Sequence, residues 1–247
     1  MKIGIIVQAR MGSIRYPGKV LQKIYESNRL LDLLLINLKS LNQNIIVATT
    51  ENKIDEEIIE TAIKHEVDYY CGDENNVLSR YIECSKKFGI SPIIRICADN
   101  IFIQNEFISQ LIDNSHLAYD YMSYQVNEVN TILTHWGMFG EYVTLDALEK
   151  VQQNTTQGEH LEHVTNYIYT HPKEFRIKYW NVPKELWRDD IRLTIDTVED
   201  FKICKEIIEY LKIHNLDWNY NNIINYLESS PQLFEKMREN IKKNKKL

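Results

Sequence analysis

The chain has 247 residues, 44% hydrophobic and 26% charged, which is the balance of an ordinary water-soluble globular protein with length for one α/β domain and a real core. A formal net charge of -6 excludes a global basic field for nucleic acid and leaves only local basic sites for anions. No apolar run approaches the ~20 residues that span a bilayer, and the apolar start Met1 to Val7 is too brief for a signal-peptide core. A cytoplasmic protein with neither membrane nor nucleic-acid partners is therefore expected. Cys71, Cys84, Cys97 and Cys204 form no Cys-x-x-Cys pair, so they read as free buried thiols in a reducing compartment rather than as a zinc or redox motif.

In chain order, Ile3 to Val7 is a continuous β-rich apolar run, as suits a strand buried on both faces of a parallel sheet. A loop with Gly12, Ser13, Pro17 and Gly18 follows. Leu30 to Leu41 has helical apolar spacing, Asn44 to Thr49 reads as a strand, and Ile54 to His65 as a helix. Val67 to Tyr70 is a short strand, Val77 to Phe88 a helix, and Pro92 to Cys97 another buried strand. This alternation predicts a three-layer α/β domain with a mostly parallel sheet. From 119 to 180 the pattern changes: aromatics, threonine and histidine dominate. That stretch reads as extra strands plus a helix around Gly158 to Tyr169, an insertion serving as an acceptor or dimerisation arm. Arg192 to Asp196 is expected as a returning strand, and Thr197 as the cap of a helix with acidic residues in its first turn. One domain over 1–235 is expected, with 236–247 a polar, basic tail that frays.

The segment Gln8 to Lys19 carries the most chemistry. It leaves the first strand, where ligands bind in an open parallel sheet. Gly12 permits close approach of backbone N–H groups to a phosphate, and Ser13 adds a hydroxyl. Arg10, Arg15 and Lys19 place three cations within ten residues, suited to a nucleoside triphosphate. The alternative is a solvated basic turn. The spacing matches neither a Walker A loop nor Gly-x-Gly-x-x-Gly.

Ala9-Arg10-Met11-Gly12-Ser13-x-Arg15-x-Pro17-Gly18-Lys19-Val20-Leu21 resembles the signature of the cytidylyltransferase superfamily, which makes CMP-activated sugar acids such as Kdo and sialic acid. The resemblance is greatest to the branch named after the spore coat polysaccharide biosynthesis protein F. It extends through Val47 to Thr50, Gly72-Asp73 with Asn76 to Tyr81, Arg95 to Asp99, Glu162 to Thr165 with Tyr167 to Tyr169, and Arg192 to Thr197 with Glu199-Asp200, covering about residues 1 to 210. It implies a nucleotide-diphospho-sugar transferase type of fold, CTP as donor, Mg²⁺ dependence, a small anionic acceptor and a homodimer. Carried over by motif, Ala9, Arg10, Met11, Gly12, Ser13, Arg15, Lys19, Arg80 and Asp99 are the expected nucleotide-binding residues. Arg10, Lys19, Asp99 and Asp196 are the expected catalytic ones.

Asp99 follows one predicted strand and Asp196 ends another, so the two carboxylates can share a metal ion; magnesium takes one or two carboxylates plus phosphate oxygens and water. In the resembling enzymes the aspartates of these motifs hold Mg²⁺. Each could instead be a turn residue. Arg95, His135, Glu141 and His163 are the acceptor-binding candidates; for Arg80 and Arg95 a structural ion pair, and for the histidines a structural hydrogen bond, is the competing reading. Trp136, Tyr142, Tyr167, Tyr169 and Trp180 read as a dimer core or as fold core. The branch's Gly-Leu-Asp-Val-Glu is Gly137-Met138-Phe139-Gly140-Glu141 here, so Phe139 replaces an acidic residue near the acceptor. A metal-dependent glycosyltransferase is disfavoured because no Asp-x-Asp occurs. A non-catalytic pseudoenzyme is disfavoured by the joint presence of Arg10, Lys19, Asp99 and Asp196.

Overall fold

The computed structural model describes residues 2–244. In chain order the strands and helices are β1 (Lys2–Gln8), β2 (Lys23–Tyr25), β3 (Asn28–Arg29), α1 (Leu30–Lys39), β4 (Asn44–Thr50), α2 (Glu56–Lys64), β5 (Asp68–Gly72), α3 (Val77–Phe88) and β6 (Ile90–Cys97). They continue as α4 (Asn105–Asp113), β7 (Tyr121–Val126), β8 (Val129–Asn130), β9 (Glu141–Val143), α5 (Leu145–Asn154), α6 (Gly158–Glu162), α7 (Asn166–Thr170) and β10 (Ile177–Asn181). The chain ends in α8 (Val198–Ile213), α9 (Tyr220–Ser229) and α10 (Pro231–Lys243).

One sheet has the order β10-β7-β9-β6-β1-β4-β5, with β8 paired to β7; β2 and β3 form a separate hairpin. β1 lies between β4 and β6 in parallel register, Ile5 facing Ile45 and Ile94. Its apolar run is continuous because both faces are covered. Ile5 and Val7 belong to one buried cluster with α1, α4 and α8, while Ile6 belongs to another with α3 and α5. This is the three-layer, mostly parallel α/β architecture that the alternation predicts.

The extra strands expected within 119–180 do form, and they extend the main sheet. β9 pairs antiparallel with β6 and β7, and β10 runs parallel to β7. The stretch is thus woven into the sheet, and Trp136, Tyr142 and Tyr167 are buried as fold core, leaving them no face for a partner. The single helix expected around Gly158 to Tyr169 is two short ones, α6 and α7. The chain breaks at His163 to Thr165, where Val164 turns into the core and Thr165 hydrogen-bonds inward to Glu141.

Two further expectations are corrected. Arg192 to Asp196 forms no strand and bends at Thr194. Leu193 N–H donates to His135 O at 2.8 Å and Ile195 N–H to Asp99 O at 3.1 Å, two different neighbours, so no ladder develops. The tail is not frayed through 244. In α10, Leu233 and Met237 are buried, and Asn240 hydrogen-bonds the Asp200 carboxylate, so an amphipathic helix docks where a polar tail was expected. Residues 245–247 lie outside the described residues. Thr197 caps α8 as expected, in a capping box closed by Asp200. Of the four cysteines, Cys84 and Cys204 are buried, whereas Cys71 and Cys97 are only partly so.

Candidate active site

The loop from Ala9 to Lys19 is held from beneath. Ala9 N–H continues the sheet to Ala48 O at 3.1 Å, and Met11 N–H donates to Asp55 Oδ1 at 2.7 Å. Asp55 is itself buried and takes the Thr50 hydroxyl. Ser13 and Gly18 both donate their N–H groups to Met11 O at 2.9 Å, closing the loop on itself. Gly18 has φ 71°, a left-handed conformation that glycine adopts without a Cβ penalty. The N–H groups of Met11, Ser13 and Gly18 are therefore engaged inside the protein, and the loop's offer to a polyanion lies mainly in its side chains.

Those side chains point to two places. Lys19 Nζ donates to Asp99 Oδ2 at 2.8 Å, lies 3.6 Å from Asp196 Oδ1, and also donates to the Ile195 carbonyl. Arg15, half exposed, meets Asp196 Oδ1 at 2.9 Å. Asp99 stands two residues beyond β6. Asp196 does not end a strand, yet the Ile195 N–H bond to Asp99 O brings the two aspartates together. Burial works against charge on Lys19, but Asp99 and Asp196 outweigh it and raise the ammonium above its ordinary value.

Arg10 turns the other way, its Nη2 3.3 Å from Glu162 Oε1 and its Nη1 near Glu74 O. Arg80, in the first turn of α3, is 1% exposed, and none of its three guanidinium nitrogens has a hydrogen-bond partner. Burial pulls its pKa below the usual arginine value and the charge of Arg10 adds to that, against the pull of Tyr81, Asp55 and Asp73. A buried guanidinium without acceptors is costly. It marks this corner as one that an acceptor-rich ligand would complete.

A cavity of about 510 Å³ opens beside Asp99 and Asp196. Arg15, Asn100, Phe139, His163, Tyr169 and Thr194 are among the residues that line it. Arg95 and Glu141 face each other across β6 and β9 at its floor and form a buried ion pair. Glu141 also accepts from the Tyr121 hydroxyl and, at 2.8 Å, from the Thr165 hydroxyl. Burial disfavours charge on Arg95, but Cys97 and Glu141 hold the guanidinium charged. Phe139 stacks on Phe107, so an aromatic wall stands at the position the motif comparison marks as acidic.

Of the acceptor candidates, His163 is exposed on the rim of the cavity, and Arg95 and Glu141 bind each other. His135 is not brought to the cavity. Its Nδ1 accepts from Arg192 at 2.7 Å, because the backbone on either side is fixed by Leu193 and by the turn at Gly137, φ 61°.

Sequence reasoning missed the residues behind Asp196. Arg192 is 1% exposed and donates to Asp196 Oδ2 at 3.0 Å and to both oxygens of Asp200 at 2.7 and 3.0 Å. The signal is the four-residue spacing of Arg192, Asp196 and Asp200, but the sequence reading takes Asp200 as a motif residue and a first-turn acid, not as a partner of Arg192. Asn100 was missed too; it is among the residues that line the cavity, and its buried Oδ1 has no donor.

Two carboxylates facing one cation fit a magnesium ion that completes its shell with phosphate oxygens and water. Among the described residues no three His, Cys, Asp or Glu side chains gather as a self-sufficient metal site, and no helix is long and apolar enough to cross a membrane.

A family model described as cytidylyltransferase matches residues 4–237. An uncharacterized protein of Methanocaldococcus jannaschii is 38% identical over 235 residues, 94% of this chain and 93% of that protein. The spore coat polysaccharide biosynthesis protein SpsF of Bacillus subtilis is 33% identical over 211 residues, covering 83% and 85%. The structure of a cytidylyltransferase from Leptospira borgpetersenii superposes with a TM-score of 0.83 at 29% identity, covering 95% of this chain and 97% of that one.

Proposed function

This chain belongs to the cytidylyltransferase family and is a nucleotidyltransferase, and from that premise we propose that it transfers CMP from CTP to a small anionic acceptor and releases pyrophosphate. The acceptor is a sugar acid or a phosphorylated or phosphonate compound, and the product feeds surface-polysaccharide or glycoconjugate synthesis in the cytoplasm, where CTP is made. The observation that carries this reading is the meeting of Lys19 and Arg15 with Asp99 and Asp196 at the edge of a cavity of about 510 Å³. Cations from the phosphate loop, two carboxylates and room for a second substrate stand at one place.

The chemistry is an in-line displacement in which an acceptor oxygen attacks the α-phosphorus. It asks the protein for positioning and charge, with little covalent work. Lys19 and Arg15 offset charge on the departing pyrophosphate. Arg10 and Arg80 hold the nucleotide on the far side of the loop. Asp99 and Asp196 would hold Mg²⁺. When bound, that ion supplies Lewis acidity, offsetting phosphoryl charge and easing deprotonation of a hydroxyl acceptor. Because Arg95 is occupied by Glu141, the acceptor's anionic group is met at the rim by His163, and Phe139 packs against its carbon skeleton.

We also propose a homodimer, through a face where Val129, Leu133 and Trp187 are 48%, 42% and 45% exposed around a second cleft. Light scattering should then give about twice 29.3 kDa, and a monomer at micromolar concentration would remove this part.

The test is pyrophosphate release from each of the four nucleoside triphosphates with Kdo-like acids, nonulosonic acids, phosphorylated polyols and phosphonates. Release with CTP and one acceptor class is expected. Release with another nucleotide in preference to CTP overturns the donor, and release with no combination overturns the function.

A further inference from the structure

Lys19 Nζ stands between the two carboxylates to which the proposed function assigns a metal ion. It is 2.8 Å from Asp99 Oδ2 and 3.6 Å from Asp196 Oδ1, and its third contact is the carbonyl of Ile195. The side chain is 9% exposed, so the ammonium has exchanged its water for these three oxygens. Asp196 is further neutralised from both sides, by Arg15 at 2.9 Å and Arg192 at 3.0 Å. Two aspartates near each other and largely out of water repel; a cation between them is what makes their approach favourable.

The residue that follows Asp99 carries an unsatisfied group. Asn100 is 8% exposed and is among the residues that line the cavity, and its buried Oδ1 has no hydrogen-bond donor. The oxygen lies 3.1 Å from where a Cβ on Gly137 would stand, so glycine at 137 keeps the space beside it open. A carbonyl oxygen with no donor, on the residue after one of the two carboxylates, is a ligand type that hard divalent ions accept. The ammonium occupies the charge centre but does not complete the oxygen set.

We propose that Lys19 is an internal stand-in for the divalent ion: in the nucleotide-free protein its ammonium holds Asp99 and Asp196 together, and the ion enters only when a triphosphate draws Lys19 away. The inference rests on the assignment of Asp99 and Asp196 as the metal pair. An ammonium and a divalent ion cannot share the same carboxylate oxygens, since their repulsion is twice that of two single charges at equal distance. The side chain can move without the backbone. Lys19 N–H is held by Tyr16 O at 3.3 Å and its carbonyl by Gln22 N–H at 3.1 Å, while four methylenes carry the ammonium. A triphosphate bound along the loop gives the ammonium new oxygens and frees the carboxylates in the same movement. Metal and nucleotide then bind as one, and the free ion alone is kept out, which spares the site from wrong cations.

The experiment measures Mn²⁺ binding to the full, nucleotide-free chain by electron paramagnetic resonance, for wild type, Lys19→Met and Lys19→Met with Asp99→Asn. Lys19→Met removes the charge and keeps most of the volume. The expected result is at least a tenfold gain in Mn²⁺ affinity for Lys19→Met, lost again in the double variant. Lys19→Met should also melt at lower temperature than wild type and recover on adding Mn²⁺. Equal Mn²⁺ affinity in wild type and Lys19→Met overturns the proposal, as does a gain that survives Asp99→Asn. Should Lys19→Met fail to fold, wild type alone decides: submillimolar Mn²⁺ binding without nucleotide overturns the stand-in, and its absence, with binding restored by a non-hydrolysable CTP analogue, supports it. A wild type that releases pyrophosphate from CTP yet binds Mn²⁺ tightly by itself would sink this inference and leave the proposed function standing.

Discussion

The loop from Ala9 to Lys19 and the cavity floor are both charged, the floor buried and the loop partly exposed, and they settle their charges in opposite ways. At the floor, Arg95 and Glu141 are adjacent strand residues in register, and Glu141 collects two hydroxyls besides. At the loop, Lys19 and Arg15 reach aspartates far along the chain, and Arg80 finds no acceptor. The floor's charges are bound locally by the sheet and are largely satisfied. The loop's charges are compensated by long side chains that can let go, and one is uncompensated. A site that receives a polyanion needs spare or releasable cations, and a scaffold does not. Under the proposed function, ligand charge falls to the loop and rim, and rigidity to the floor.

The largest effect should come from the carboxylates that face the loop. Asp99→Asn or Asp196→Asn keeps the shape and removes an anionic metal ligand, so the turnover rate should fall roughly a thousandfold or more. The two losses should be far from additive, because both residues would serve one centre. Pyrophosphate release across a magnesium titration reads this directly. Near-normal rates for both variants at low magnesium would return the aspartates to the role of turn residues and erase the contrast between loop and floor.

How much of this was legible beforehand follows the same divide. The continuous apolar runs at Ile3 to Val7 and Pro92 to Cys97 announced strands buried on both faces, and α3 begins and ends where its periodicity says. The motifs named Arg15, Lys19, Asp99 and Asp196 as site residues, and the structure brings these four together, Lys19 leaving the loop after β1, Asp99 following β6 and Asp196 drawn in by the Ile195 N–H bond to Asp99 O. What failed was long-range. Arg192 to Asp196 has strand composition, but its backbone is shared between His135 and Asp99. The polar composition of residues 236–244 hid a helix whose Leu233, Met237 and Asn240 form one buried stripe. For Arg95 the structural ion pair, the competing reading, is what forms, but its partner Glu141 could not be named, because which strands pair cannot be read from either residue's own neighbourhood.

A smaller pair of effects tests the two regions against each other. Glu141→Ala leaves the Arg95 charge buried without its partner and should cost about 3–5 kcal/mol of stability. Affinity for CTP should hardly change in the folded protein. Arg80→Met should do the reverse. Unfolding free energy should hold or rise, because an unpartnered guanidinium is removed. CTP affinity should fall by about 2 kcal/mol or more, the scale for removing one member of a buried charged contact. Urea unfolding and calorimetric titration of both variants form a crossed comparison. If Arg80→Met destabilises the protein and leaves CTP binding intact, Arg80 is scaffold and the distinction fails at its clearest point.

The smallest effect lies behind the loop half, where Asp32 is 1% exposed in the first turn of α1. Burial alone would raise its pKa. The Arg29 N–H at 2.8 Å, His65 at 2.6 Å and Lys64 at 3.0 Å outweigh that and bring it below the usual carboxylate value. A carboxylate with a lowered folded-state pKa adds stability that is fully present above its unfolded pKa of about 3.9 and is lost as pH falls through the lower folded value. Asp32→Asn keeps the side-chain oxygen for the Arg29 N–H but removes the charge that His65 and Lys64 meet, so the loss at neutral pH should be about 1 kcal/mol. The gap between wild type and variant should stay level down to about pH 4 and then close at lower pH. Thermal melts of both proteins from pH 7 to pH 3 would show it. A gap that widens on acidification would mean that Asp32 is held protonated by burial, and that His65 and Lys64 only lie beside it.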